Sequence, residues 1–333
     1  MRTTQVVCLA ALVAVCCLCV AGGASAAGDL KIEGYTQFRY VDTSLTDDDY
    51  DFDVKRSRIR LSGPVNDTGT EIVLQVDLGP LDDNDDDDNI DLVDAYISHA
   101  LNPEWKLRAG FSTPMFGFDG GYSNAKRLPF ERALVTGMFL PGLKDAGLYA
   151  TYSPKSGSAG TPSVILGITN DVEDTADWFD EHDESMAFVG GLRWALPNNG
   201  QAGLSYMSSN REGTIGGLAT EWDDHVWGAH VRYNSNSNFA FQGEYMDGDR
   251  QEVGVRGWYG LLELKPSNSD AAVFYRYDTF DDGDADDYGR HTVGVAMEVG
   301  SQSRVTLQYE DIDNEGVDGS NFGIQWQVSY PAQ

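Results

Sequence analysis

Four arginines carry the clearest chemical signal in this chain. The run Phe52-Asp-Val-Lys-Arg-Ser-Arg-Ile-Arg-Leu-Ser-Gly63 places Arg56, Arg58 and Arg60 two residues apart, with Ile59 and Leu61 between or beside them. On a β-strand this spacing puts all three guanidiniums on one face and the aliphatic side chains on the other. Arg39, on the preceding run, lies on the polar side of its own alternation. Guanidinium forks bind carboxylate and phosphate oxygens in pairs and do not lose their charge, so four on adjacent strands would form an anion-binding wall. The competing expectation is a structural ladder in which these arginines pair with acids such as Glu33, Asp77 and Asp94. The two readings are compatible for different arginines.

A second candidate is the stretch Thr113 to Asp145. It carries Pro114, Phe116, Phe118, Pro129, Phe130 and Pro141 together with Lys126, Arg127, Glu131 and Arg132, and has few acids. The other long connections are acidic. An apolar and basic segment among them is expected to fold inward rather than stand in water. Arg108, Lys126, Arg127 and Arg132 then join Arg39, Arg56, Arg58 and Arg60 as candidates to line a lumen and bind anions. The acids from Asp82 to Asp91 offer hard oxygen ligands for loosely held Ca2+, without EF-hand spacing. His99, His182, His225, His230 and His291 show no metal-ligand spacing, and no serine–histidine–acid arrangement is legible, so no catalysis and no cofactor are expected.

The elements that hold these residues are strands. The last, Asn321 to Tyr330, shows the pattern best: Phe322, Ile324, Trp326, Val328 and Tyr330 fall on one face and Gly323, Gln325, Gln327 and Ser329 on the other. One side is wholly apolar, with aromatics at both ends, as lipid contact requires. Leu30, Ile32, Phe38 and Tyr40 alternate with Lys31, Glu33, Gln37 and Arg39 in the same way. Arginine facing lipid at mid-depth costs about 2–4 kcal/mol, so the triplet must face inward. About sixteen such strands are expected, those near Ser163 and Val255 being the weakest. Connections alternate between short Pro/Gly/Asn/Ser turns, such as Pro197 to Gly200, and acidic stretches, among them Thr46 to Asp53, Asp171 to Glu184, Asn210 to Asp224, Asp247 to Val253 and Asp311 to Asn321. This predicts an all-β, antiparallel, up-and-down transmembrane barrel whose acidic loops lie outside the cell. Sixteen strands enclose more space than side chains fill, which leaves an aqueous channel.

Residues 1–26 read as a secretory signal, with Arg2, an apolar run from Val6 to Val20 and Ala24-Ser25-Ala26 at the cleavage site. All four cysteines lie inside it, so residues 27–333, the barrel, carry no disulfide or thiolate site. The net charge of −30 makes nucleic acid an improbable partner. No stretch beyond the signal has the run of about 20 apolar residues that a membrane helix needs. A secreted β-rich binding or structural protein is the alternative from another class.

Phe52 to Gly63, Leu92 to Phe116, Leu128-Pro-Phe-Glu-Arg132 and Pro141-Gly-Leu-Lys-Asp-Ala-Gly147 together resemble the phosphate-selective porin O and P family. Asp94-Ala-Tyr-Ile97 and the pair Thr113-Pro114 are the best markers. The resemblance implies a sixteen-stranded outer-membrane barrel of a Gram-negative-type bacterium, often a homotrimer. It implies contact with lipid and lipopolysaccharide, an inward third loop, and a basic lumen that conducts small inorganic anions. Arg56, Arg58, Arg60 and Arg132 fall on basic positions of that pattern. Ser112 stands where the family commonly has a basic residue, and Lys144 where it often has arginine. A general channel with weak cation preference is the alternative within the class, because the chain is so acidic.

Overall fold

The structure is a computed structural model that describes residues 30–45, 50–65, 69–79, 90–140, 144–155, 160–170, 186–215, 218–235, 238–250, 253–281, 283, 288–314 and 317–330. The signal and the acids from 81 to 89 lie outside the described residues. Sixteen antiparallel strands pair each with the next in sequence, and β1 (Lys31–Thr43) pairs with β16 (Val317–Tyr330), which closes the barrel. The seam runs from Gly34 opposite Tyr330 to Thr43 opposite Asn321.

The alternation in sequence becomes the two faces of the wall. On β16, Phe322, Ile324, Trp326 and Tyr330 are exposed, whereas Gln325 and Gln327 are buried. The outward apolar positions continue around the circumference, through Ile97, Leu148, Leu166, Phe188, Leu204, Leu264, Val273, Val293 and Leu307. Aromatics gather toward both edges of this band. Trp105 lies against Tyr152 near the short turns, and Trp227 against Tyr245 and Trp258 against Tyr277 toward the other end. A continuous apolar belt of this kind exceeds what a water-facing surface carries, and it fits a hydrocarbon environment. Ile324→Arg should therefore cost about 2–4 kcal/mol. Urea titration of the barrel folded into liposomes checks this, with a lowered midpoint expected.

The short turns have their expected chemistry. Asn198 and Asn199 both take positive φ between β8 (Ala187–Leu196) and β9 (Gly200–Ile215), a conformation asparagine tolerates. Asn102 Oδ1 accepts the N–H groups of Glu104 and Trp105 between β4 (Asp91–Ala100) and β5 (Trp105–Ser112). The weak runs near Ser163 and Val255 are β7 (Ser163–Thr169) and β12 (Val253–Leu264).

Several acidic stretches read as loops are strands instead. β9 and β10 (Leu218–Ser235) stay paired up to Ile215 opposite Leu218, so Asn210 to Asp224 is almost wholly β-ladder. β11 (Phe239–Arg250) pairs with β12 to the position of Val253, and β15 (Ser303–Asn314) with β16 to that of Val317. The periodicity failed there because a ladder beyond the lipid needs no apolar face; backbone hydrogen bonds alone sustain it.

Candidate functional site

Between β5 and β6 (Asp145–Tyr152) runs the long connection. Its hydrogen bonds reach side chains on opposite sides of the closed barrel. Arg193 of β8 donates to the Met115 and Gly117 carbonyls. Glu244 of β11 accepts the Phe118 and Asp119 amides at 2.8 and 3.1 Å. Arg304 of β15 donates to the Ala125 and Arg127 carbonyls, and Gln308 of the same strand accepts the Phe130 amide. A segment tied to so many inner faces must cross the lumen. Its apolar side settles on one wall: Phe116, Val135 and Leu140 are buried with Ile165, Val189, Met207, Val226 and Met246 of the strands.

Asp278 of β13 (Ala271–Asp281) is the deepest anchor. It is fully buried, bridged by Arg276 at 2.9 Å and by Arg290 of β14 (Tyr288–Glu298) at 2.8 Å. Its other role is to cap the short helix α1 (Leu134–Phe139). The residue before that helix, Ala133, has no capping side chain, and Asp278 takes the Leu134 N–H at 2.7 Å instead. The same two arginines donate to the Glu131 and Arg132 carbonyls. Arg193, Glu244, Arg276, Asp278, Arg290 and Arg304 thus hold the loop rather than line open space.

The arginine wall lies on the remaining arc, where β2 (Tyr50–Pro64) and β3 (Thr70–Asp77) follow β1. Arg56, Arg58 and Arg60 face inward, as their spacing predicts, and each meets a carboxylate. Arg58 bridges Asp77 at 2.6 Å, and Arg60 reaches Asp94 at 3.3 Å, which also holds Lys144 at 2.8 Å. Arg39 and Arg56 share Glu131 of the loop, at 2.6 and 3.0 Å. Asp77 and Asp94 are therefore partners as the ladder reading has it. Glu33 lies opposite Arg60 in register but is exposed, and Glu131 takes the role that the sequence reading gave to a wall acid. Burial pushes the Glu131 carboxyl up, but Arg56 and Arg39 outweigh it and hold it well below the usual carboxylate range. Its bridges therefore persist as the pH falls through the range where a free glutamate protonates.

The other candidates divide. Arg108 lies over the Tyr96 ring at 4.4 Å, and Tyr96 in turn accepts from Arg60. Arg132 donates to the Asp119 and Tyr122 carbonyls, so it braces the loop from within. Arg127 is almost wholly buried and hydrogen-bonded to Asn124; burial lowers its pKa to about 9. Lys126 is exposed. His99, His225, His230 and His291 are spread over different partners: Thr70, Asp249, Gln201 and Tyr275. Among the described residues no cluster of three His, Asp or Glu side chains could hold a metal ion.

Sequence reasoning missed Glu244, Asp278, Arg276, Arg290 and Arg304. Each stands at an ordinary inward position of its strand. The Arg276–Asp278 spacing, two apart on one face, was the one local hint.

Residues 32–145 match the family described as Phosphate-selective porin O and P, a span from β1 to the start of β6 that includes the arginine wall and the long loop. The resemblance read from the sequence is thus borne out over that span. No curated protein matches the chain. Among solved structures, it is similar to the anion-selective porin from Comamonas acidovorans, with 12% identity, TM-score 0.66, and coverage of 91% of this chain and 99% of that one. It is similar to OprB of Pseudomonas putida, with 11% identity, TM-score 0.65, and coverage of 91% and 94%. It is also similar to OmpT, an outer membrane protein of Vibrio cholerae, in its trimer form, with 15% identity, TM-score 0.64, and coverage of 92% and 100%. The fold is that of a porin.

Proposed function

We propose that the chain is an outer-membrane porin, a water-filled channel for passive diffusion of small ions and solutes with a modest preference for anions, phosphate among them. The observation that carries this is the charge balance of the open arc. Among the described residues, the ion pairs of Arg39, Arg56, Arg58, Arg60 and Lys144 are with Asp77, Asp94 and Glu131, five cations on three carboxylates. The net −30 of the whole chain is the opposing influence. Range decides between them. At physiological salt the Debye length is about 8 Å, so acids at the rim are screened at the constriction while the enclosed arginines are screened less. Rim acids slow the arrival of anions; the wall selects them.

The apolar belt supports residence in a bilayer, and the signal sequence supports export to an outer membrane, with lipid and lipopolysaccharide as neighbours. The trimer form of the Vibrio cholerae protein favours a homotrimer here. No enzymatic step is assigned, and Ca2+ at the acidic connections would be a loosely held surface ion.

The test is the reversal potential of the refolded barrel in a planar bilayer under a KCl gradient. The expected potential has the anion-selective sign, and Arg60→Ala should move it toward the cation side, because Asp94 then keeps Lys144 alone. A cation-selective wild type that Arg60→Ala leaves unchanged would favour the general, acid-dominated channel instead.

A further inference from the structure

Glu131 differs from the other acids of the wall. Asp77 and Asp94 belong to strands, and their positions are fixed by the ladder. Glu131 comes from the loop and places one oxygen against each of two guanidiniums: Oε1 is 2.6 Å from Arg39 Nη1, and Oε2 is 3.0 Å from Arg56 Nη2. A small oxyanion held between two arginine forks would be bound in the same way.

The forks are oriented without it. Gln325 Oε1 accepts from Arg39 Nε and Nη2 at 3.1 and 2.8 Å, the Phe130 ring supports Arg39 at 4.8 Å, and Gln37 Oε1 accepts from Arg56 at 3.3 Å. Nor is the carboxylate sealed. The Glu131 side chain is 38% exposed, against 9% for Asp77 and 0% for Asp278. The backbone around it is secured separately, through the Phe130 amide and the Glu131 and Arg132 carbonyls. A change of Glu131 rotamer would therefore open the site and leave the loop in place.

We infer that Glu131 is a tethered counter-anion: its carboxylate occupies an oxyanion site built by Arg39 and Arg56, and competition with it sets how tightly the channel holds a passing phosphate or carboxylate. This deepens the channel reading and rests on it for its meaning, although the site itself can be tested without conduction. The measurement is calorimetric titration of the detergent-folded barrel with inorganic phosphate, comparing wild type, Glu131→Gln and the double variant Glu131→Gln with Arg39→Ala. Heat-modifiable gel mobility verifies folding, and Glu131→Ala replaces Glu131→Gln if the latter does not fold.

Removing the tethered charge should let phosphate bind at a concentration at least tenfold lower than in wild type, and Arg39→Ala should abolish the gain. Equal binding by wild type and the folded single variant would overturn the proposal. So would a gain that survives Arg39→Ala. Tight binding in Glu131→Gln together with a cation-selective wild type would keep the site and sink the anion-channel reading, so the two failures are distinct.

Discussion

Asp278→Ala should cost the folded barrel about 3–5 kcal/mol, the range found when one member of a buried ion pair is removed and its partner stays. Two guanidiniums would be left behind, Arg276 and Arg290, and the Leu134 amide would lose its acceptor. The outer ladder between β13 and β14 is unaffected by the change, so the barrel should still form but unfold at a lower denaturant concentration. A urea titration in liposomes with tryptophan fluorescence measures it. The built-in control is Asp281→Ala, which breaks the bridge to Arg256, a side chain 65% exposed. Pairs in water contribute about 0–1 kcal/mol, so this variant should be nearly silent. Equal effects of the two would mean that depth in the barrel does not govern these pairs.

Glu244→Ala should act on conductance more than on stability. The carboxylate is buried, and it receives two loop amides and the Tyr259 hydroxyl, the last at 3.4 Å. Each buried donor deprived of its acceptor costs about 1–3 kcal/mol. That penalty is relieved if Phe118 and Asp119 leave the wall and take water instead. The loop would then loosen at Phe118 and Asp119, between the ties that remain at Arg193 and Ser205 on one side and at Asp278 and Arg304 on the other. Single-channel recording should show a larger and noisier conductance than wild type. Gly117→Ala offers the same result from the other partner: Gly117 has φ +62°, and a Cβ there would stand 2.3 Å from Glu244 Oε1. Unchanged conductance in both variants, with folding intact, would mean that this stretch of loop does not bound the conducting path.

The barrel was legible because each strand repeats one local rule. Phe322, Ile324 and Trp326 need only lipid on their side, and period two shows it without knowledge of any neighbour. The inward loop was legible for a related reason, since Phe116 and Phe130 are out of place among acidic connections. What could not be read is the choice of partners. Glu131 meets Arg56 across 75 residues, and Leu134 meets Asp278 across 144. These meetings depend on the register of the closed wall and on the path of the loop within it. Asp77 and Asp94 could be named as arginine partners because they sit on the strands that follow Arg58 and Arg60. Glu131 could not, because nothing local ties a loop residue to β1. The acidic ladders near Ile215 and Leu218 were missed for the opposite reason: beyond the lipid, the rule that reveals a strand no longer applies.

The closing seam has a consequence for assembly. Pairing β1 with β16 also brings Arg39 to Gln325 and Gln37 to Gln327. Arg39 is the residue that receives Glu131, while Gln327 donates to the Ala125 carbonyl of the loop. The first and last strands therefore meet beside a loop that bonds to both. Contacts between such distant parts of a chain form late, after the entropy of loop closure has been met. Because loop and seam share these side chains, the docking of one and the closing of the other are coupled, and a variant that weakens the docking, such as Gln327→Ala, should slow the last step of folding in a liposome refolding assay.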